Sequence, residues 1–448
     1  MKLLNVNARK LSIKSQPAMQ PSFMENRERQ LRIAWIGNAT DGGGVGGFGR
    51  QLVQSLTEID VDLTAFIGIA ASDFKKAIGA RCDNLTIFES SSGWEWNRWY
   101  NRNPLMTFIS SFWMRRRAYS QSIKQLLAEH RRDPFDVVVQ FSQIELFELR
   151  KHINKLPPLL LFPCVHAAGE LRWHRKECQM ALRSESRLRH YLVRANLVQR
   201  AFLQKKCCQS VHGVIGMSKR FNELIEVDYG VKSKNQAVLY QPVEIANSER
   251  VIDDKNNATS PADKISLLFV GRISVRKGLE MIVELSKRLN DLADHVSIVV
   301  AGGASFWSDY TRVLDDLNPR IASFIGSTAH DLVTEMMFSS DILLVPSHYE
   351  PGGIVVAEAL STGMLIIASD EVGSAEPLPE TVCRKFPRGD MNAFEAQVRQ
   401  LIGEIPHQRQ QLRDLAIHEA GEHFAPFHLK SKLKRILLAA SARMPIGE

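Results

Sequence analysis

Cysteine is scarce in this chain, six residues in 448, and none is spaced as a metal site or a disulfide framework. That excludes a disulfide-built secreted scaffold and a zinc module, and it favours a reducing compartment. Long hydrophobic runs are also missing: none approaches the roughly 18 residues that span a bilayer. The opening "MKLLNVNARKLSIKSQ" has no apolar core of the secretory kind, so a cytoplasmic protein is expected. Acidic residues are scarce in one half only. Residues 1–245 carry 36 Lys+Arg and 22 Asp+Glu (+14), the remainder 21 and 27 (−6), and together they give the net +8. Such a split implies two halves with different partners, the basic one facing an acidic surface or simply solvated.

What is present is an apolar fraction of 44%, ordinary for a globular protein, in a chain long enough for two domains. Residues 1–30 are polar and aperiodic and are expected to form a disordered lead-in. From residue 31 short apolar runs alternate with helical patterns: "LRIAWIGNA", "VDLTAFIG", "FDVVVQFS", "PLLLFPCVH" and "VHGVIGMS". A polar stretch at 246–263 is a predicted linker, after which the pattern restarts with "ISLLFVG", "VSIVVAGG", "ASFIGS", "DILLVPS" and "LIIAS". Alternation of this kind predicts α/β architecture, parallel sheets with helices on both faces. The expected units are an N-terminal domain, 31–245, and a C-terminal domain, 264–425, with a C-terminal helix in 426–448 packing back on the first.

Six glycines crowd the eight residues Gly42–Gly49, and Gly44–Gly49 reads as G-x-G-x-x-G. In a dinucleotide fold the first glycine follows the first strand closely and an acid stands at the tip of the second. Here Gly44 lies seven residues beyond Gly37, and the second strand ends "AFIGIAAS" without an acid. Asp60 and Asp62 sit at its beginning, where turn and surface roles suffice. Dinucleotide binding is therefore disfavoured, and the loop reads instead as one that closes over a phosphate or sugar.

The densest signal is "VPSHYEPGGIVVAEALSTG", with Glu350 and Glu358 eight residues apart and Gly352-Gly353-Ile354 at a predicted helix start. Free amides there suit an anion or sugar hydroxyls, and loops at the carboxyl ends of strands are where open α/β sheets bind ligands. Upstream, "FVGRISVRKG" places Arg272 and Lys277 in a strand-end loop, two cations suited to a diphosphate whose charge grows as it departs. Arg276 in the same loop is expected to face either the site or solvent.

"GRISVRKG" followed by E-x7-E in "EPGGIVVAE" resembles the retaining glycosyltransferases of family 4, which have the GT-B fold: two doubly wound Rossmann-like domains facing a central cleft. The glycine loop after the first strand, His166 at the end of "PLLLFPCVH" and "VIGMSKR" around Ser218 agree in order, so the resemblance spans most of 31–425. It implies that Arg272 and Lys277 hold a nucleotide-sugar's diphosphate, Glu358 the ribose, Glu350 the transferred sugar, and Gly352, Gly353 and Ile354 its hydroxyls and phosphate. Gly46 and Gly47 would approach the donor from the other domain, and His166 would lie near the sugar. Glu350, His166, Arg272 and Lys277 would form the catalytic group, with no metal and no cofactor beyond the nucleotide-sugar itself. Two departures stand out: Pro-Gly-Gly after the first glutamate, where many relatives have an aromatic residue and a glycine, and "VLYQPVE" where Asn-Gly is common.

The resemblance implies retaining transfer of a hexose-type sugar to a saccharide or lipid-linked acceptor in cell-surface polysaccharide synthesis. The other readings are a soluble glycoside or sugar-phosphate synthase of the same fold, and a non-catalytic nucleotide- or nucleic-acid-binding protein. Two basic stretches bear on partners. "GWEWNRWYNRNPLMTFISSFWMRRR" holds four tryptophans and five arginines; core packing, an anionic membrane surface, a phosphate-bearing saccharide and single-stranded nucleic acid all suit it, nucleic acid least in this fold. "LRWHRKECQMALRSESRLRHYLVRANLVQRAFLQKK" reads as one long helix with arginines on several sides and no clean apolar face. A cytoplasmic protein, either free in solution or peripheral on the inner membrane face, is the expectation.

Overall fold

A computed structural model describes residues 30–37, 39, 45–69, 71–78, 85–90, 113–114, 116–141, 144–179, 182, 186–245, 264–303 and 310–447. The expected lead-in up to residue 29, the expected linker 246–263, Gly44, and most of the tryptophan-rich stretch lie outside the described residues.

The first sheet is built from β1 (Leu31–Ile36), β2 (Val61–Ile67), β3 (Leu85–Glu89), β4 (Val137–Phe141), β5 (Leu159–Phe162), β6 (Gly213–Gly216) and β7 (Gln236–Val238), in the order β3-β2-β1-β4-β5-β6-β7. Every pairing is parallel. Central strands such as β4 ("VVVQF") and β5 ("LLLF") are buried at every position, as a sheet covered on both faces requires, whereas the edge strand β3 is half-exposed. Its helices are α1 (Val45–Glu58), α2 (Ala71–Ile78), α3 (Arg116–Arg132), α4 (Ala167–Lys176), α5 (Arg187–Cys208) and α6 (Lys219–Tyr229).

The second sheet has β8 (Ile265–Val270), β9 (Val296–Ala301), β10 (Ala322–Gly326), β11 (Ile342–Val345), β12 (Leu365–Ser369) and β13 (Cys383–Phe386), ordered β10-β9-β8-β11-β12-β13 and again all parallel. Helices α7 (Leu279–Arg288), α8 (His330–Ser339), α9 (Ile354–Ser361) and α10 (Met391–Phe424) cover it. The second core runs from Ile265 to Phe424 and takes one face of the whole of α10, from Phe394 to Phe424. Pro406 lies within α10, and Gln408 departs from helical geometry at the kink there.

After Phe424 the chain crosses back. Helix α11 (Pro426–Ser441) places Leu429, Leu433, Ile436, Leu437 and Ala440 in the core of the first sheet, beside Ile33, Phe48 and Val137. Lys430 of α11 also pairs with Glu58 of α1. Leu437 is fully buried, so Leu437→Ala is expected to cost about 2–5 kcal/mol, read as a lowered midpoint in urea unfolding.

The long helix expected across residues 171–206 is interrupted among the described residues. α4 ends at Lys176, and α5 begins afresh at Arg187, capped by Ser186, whose hydroxyl accepts from the Arg189 N–H at 3.3 Å. Residues 46–49 of the glycine pattern lie inside α1 and form its first turn. Asp62 pairs with Arg32 at 2.9 Å on the half-exposed start of β2, a structural role. Trp113 of the tryptophan-rich stretch is exposed, so core packing does not account for it.

Candidate active site at the switch points

In each sheet the strand order reverses beside its first strand, between β1 and β4 and between β8 and β11. Such points open a crevice at the carboxyl ends of the strands. The loop after β8 carries Arg272 and Lys277, and the loop after β11 carries Glu350 through Gly353. The two loops are tied by backbone: the N–H groups of His348 and Tyr349 donate to the Arg276 carbonyl at 2.8 and 3.2 Å. Gly278 ends the cation loop in the left-handed region (φ 76°), and a Cβ there would sit 2.0 Å from the Pro346 carbonyl oxygen. Only glycine lets the loops close this tightly.

The structure brings Lys277 and Glu350 together directly. The ammonium donates to Oε2 of Glu350, and both side chains are largely buried. Burial draws Lys277 below its ordinary value, opposed by Glu350. Burial also disfavours the Glu350 carboxylate, but Lys277, Arg276 and Arg272 outweigh it and hold that carboxyl below its usual range. Arg272 is exposed and makes no hydrogen bond among the described residues.

Past Glu350, Gly353 adopts φ 107° at the N-terminus of α9. A Cβ on Gly353 would meet Ser374 Oγ at 2.9 Å. No described residue accepts from the N–H of Gly352 or Gly353, and Ile354 opens the helix, so these amides and the helix dipole favour an anion. Glu358 follows in the second turn. Its carboxyl is part-buried without a hydrogen-bond partner among the described residues, and burial raises its pKa despite His330.

The first domain closes on these loops. Ser218 caps α6 by accepting from the Phe221 N–H at 2.9 Å, and its hydroxyl donates to the Pro351 carbonyl at 2.6 Å. The backbone N–H groups of Lys219 and Arg220 donate to Glu376 at 2.9 and 2.6 Å, and the Arg220 guanidinium clasps Glu371. Glu177, just beyond α4, accepts from the Arg276 N–H at 2.7 Å and from the Tyr310 hydroxyl at 3.1 Å, pinning the cation loop from across the cleft. Gly46 and Gly47 stand at the N-terminus of α1, the helix that follows β1 at its own switch point.

His166 departs from the sugar-facing position implied by the resemblance. Its side chain has no exposed surface: Nδ1 shares a 2.7 Å hydrogen bond with the Tyr349 hydroxyl, and Nε2 lies 3.0 Å from Asp228, which Arg172 grips at 2.6 and 2.8 Å. In this arrangement it braces Tyr349, the neighbour of Glu350. Burial, against the pull of Asp228 and aided by Arg172, lowers its pKa to about 4. The sign follows: a free histidine takes up its proton near 6.5, the folded one near 4, so protons favour the unfolded chain between those values. Stability from this group is complete above about 6.5 and is lost as pH falls through 4, at most roughly 3 kcal/mol. The wild-type melting temperature is expected to fall more steeply over that window than that of His166→Asn.

Three residues of this site carried no signal in the sequence. Glu177 sits in a basic stretch, and Asp228 and Tyr310 are isolated; only the tertiary fold brings them to the loops. Tyr349 was findable as the residue before Glu350. Arg276, placed in the sequence between site and solvent, is held through its backbone by both domains. Among the described residues no group of three or more His, Cys, Asp or Glu could hold a metal ion, and no helix is long and apolar enough to cross a membrane.

Residues 251–416 match the family described as Glycosyl transferases group 1. The fold is of the GT-B type. The solved structures agree on the fold: sucrose-phosphate synthase from Thermosynechococcus elongatus superposes with a TM-score of 0.65 at 17% identity, covering 92% of this chain and 100% of that one. Anabaena HepE in complex with UDP-glucose gives 0.58 at 14% identity, over 92% and 100%. Among curated proteins, a glycosyltransferase of Methanocaldococcus jannaschii is 30% identical over 125 residues, 27% of this chain and 31% of its own length. The phosphatidylinositol N-acetylglucosaminyltransferase GPI3 subunit of Saccharomyces cerevisiae is 27% identical over 128 residues, 28% of each. The chain thus matches about a third of the length of these curated relatives.

Proposed function

We propose that the protein is a retaining glycosyltransferase that moves a hexose-type sugar from a nucleoside-diphosphate sugar to a hydroxyl of a saccharide or lipid-linked acceptor, in cell-surface polysaccharide synthesis. The observation that carries this reading is the convergence of Arg272, Lys277, Glu350, the Gly352–Ile354 amides and Glu358 on one strand-end crevice. Arg272 and Lys277 stabilise the diphosphate as the bond from the sugar's anomeric carbon to phosphate breaks and negative charge gathers on the leaving group. The α9 amides add to that charge stabilisation, and Glu358 accepts from the ribose hydroxyls. Glu350 holds Lys277 in place and faces the sugar. Gly46 and Gly47 let the α1 terminus approach the donor from the first domain.

Retention follows when the acceptor oxygen bonds the anomeric carbon on the face the diphosphate leaves, its proton passing to the departing phosphate oxygen. Two side-chain cations and a helix terminus can do the electrostatic work otherwise done by a metal. His166 acts here as a positioning residue for the Tyr349–Glu350 segment. The fit to UDP-, GDP- and ADP-sugars is tested by incubating the protein with each and measuring released nucleoside diphosphate, alone and with saccharide or lipid-linked acceptors. Release from one donor class, stimulated by an acceptor and with the anomeric configuration kept, is expected. No release and no nucleotide binding from any donor would overturn the reading.

A further inference from the structure

Helix α5 is amphipathic twice over. His190, Val193, Leu197, Gln204, Cys207 and Cys208 face inward. At about 100° per residue, Leu188, Tyr191, Leu192, Val198 and Phe202 fall on the opposite side, and these are 70, 62, 55, 44 and 58% exposed. Because the two apolar stripes point in opposite directions, they cancel in any vector sum along the sequence, which is why no clean face is visible there. The outward stripe spans roughly 120° of the helix surface over four turns. A contiguous outward apolar stripe of this length on a helix that already has a buried face needs a partner.

Charge selects that partner. The helix has no Asp or Glu, and Arg187, Arg194 and Lys205 line one border of the stripe, with Lys206 beside Phe202. Cations flanking a strip of leucine, valine and aromatic residues are the pattern of a helix lying in a membrane interface: the apolar side chains enter the acyl boundary and the long cationic ones reach back to phosphate headgroups. A second copy would bring the same cations face to face, and leucine and valine offer single-stranded nucleic acid nothing to stack on. We infer that α5 docks the protein on an anionic lipid surface through Leu188, Tyr191, Leu192, Val198 and Phe202. Helix α4, packed against α5, is preceded by His166 at its N-cap. The inference stands on α5 alone and does not depend on the donor reading.

The test is cosedimentation of the full chain with phosphatidylcholine vesicles, with and without a large fraction of phosphatidylglycerol. Wild type is expected to partition onto the anionic vesicles only, and less as salt rises. L188S/L192S/F202S is expected to lose at least about a hundredfold in partition coefficient, and R187Q/R194Q/K205Q about a hundredfold, with unchanged melting temperatures and unchanged nucleoside-diphosphate binding. Absence of wild-type partition, or wild-type partition by both variants, would overturn the inference. So would a concentration-dependent dimer, or single-stranded oligonucleotide binding, that the serine variant abolishes without any vesicle binding.

Discussion

Lys277→Ala is expected to lower kcat by roughly 10²–10³ while changing nucleoside-diphosphate affinity far less. The reason lies in its pairing. In the ligand-free protein the ammonium is spent on Glu350, so donor binding gains little from it; its charge counts when the diphosphate departs and carries more negative charge than it did when bound. Removing it also leaves Glu350 as an uncompensated carboxylate beside the phosphates, with Arg272 and Arg276 the nearby cations. The Lys277→Ala/Glu350→Gln double variant is therefore expected to lose less than the product of the single effects, since the second change relieves a repulsion created by the first. Steady-state kcat and KM for the four proteins, with affinities from titration, decide it. Equal losses in kcat and in affinity would remove Lys277 from the transition state.

Glu358→Ala is expected to weaken nucleoside-diphosphate binding about ten- to a hundredfold, the effect of losing hydrogen bonds to a charged acceptor, and to raise the melting temperature of the ligand-free protein. The opposite signs share one cause. The carboxyl is part-buried beneath α9 with no hydrogen-bond partner among the described residues, and burial raises its pKa. A group held in readiness for ribose hydroxyls costs stability until they arrive. Its pH dependence is fixed in sign. The folded protein takes up this proton at higher pH than the unfolded chain, so wild type gains stability relative to Glu358→Gln as pH falls through the raised value toward the ordinary carboxylate range. Paired melting curves of the two proteins across that range show the gain or its absence.

The sheets were legible because buried parallel strands leave continuous apolar runs: "VVVQF", "LLLF", "ILLV" and "LIIAS" are strands buried at every position. The loops that carry Arg272, Lys277 and Glu350 were legible because each follows such a run directly, and a strand-end loop in an open α/β sheet has few places to be. Contacts between loops were not. Nothing in one dimension pairs Lys277 with Glu350, 73 residues away, or brings Glu177 to the Arg276 amide. His166 shows the same limit: its position at a strand end was readable, but its enclosure by Tyr349, Tyr229 and Phe221 depends on two separate elements, the loop after β11 and helix α6. The two faces of α5 were not separable in the sequence for a different reason, since the pattern of its inner face masked that of its outer one.

The most direct test of the donor site is thermal unfolding of wild type and Glu358→Ala against UDP, GDP, ADP and NAD, each at high excess. A ligand at about 100 times its dissociation constant adds roughly 2.7 kcal/mol, a shift of a few degrees in a protein of this size. The account predicts a shift of wild type with at least one nucleoside diphosphate, a much smaller shift of Glu358→Ala with the same ligand, and none with NAD. A shift with NAD alone, or a nucleoside-diphosphate shift that Glu358→Ala leaves intact, would contradict it.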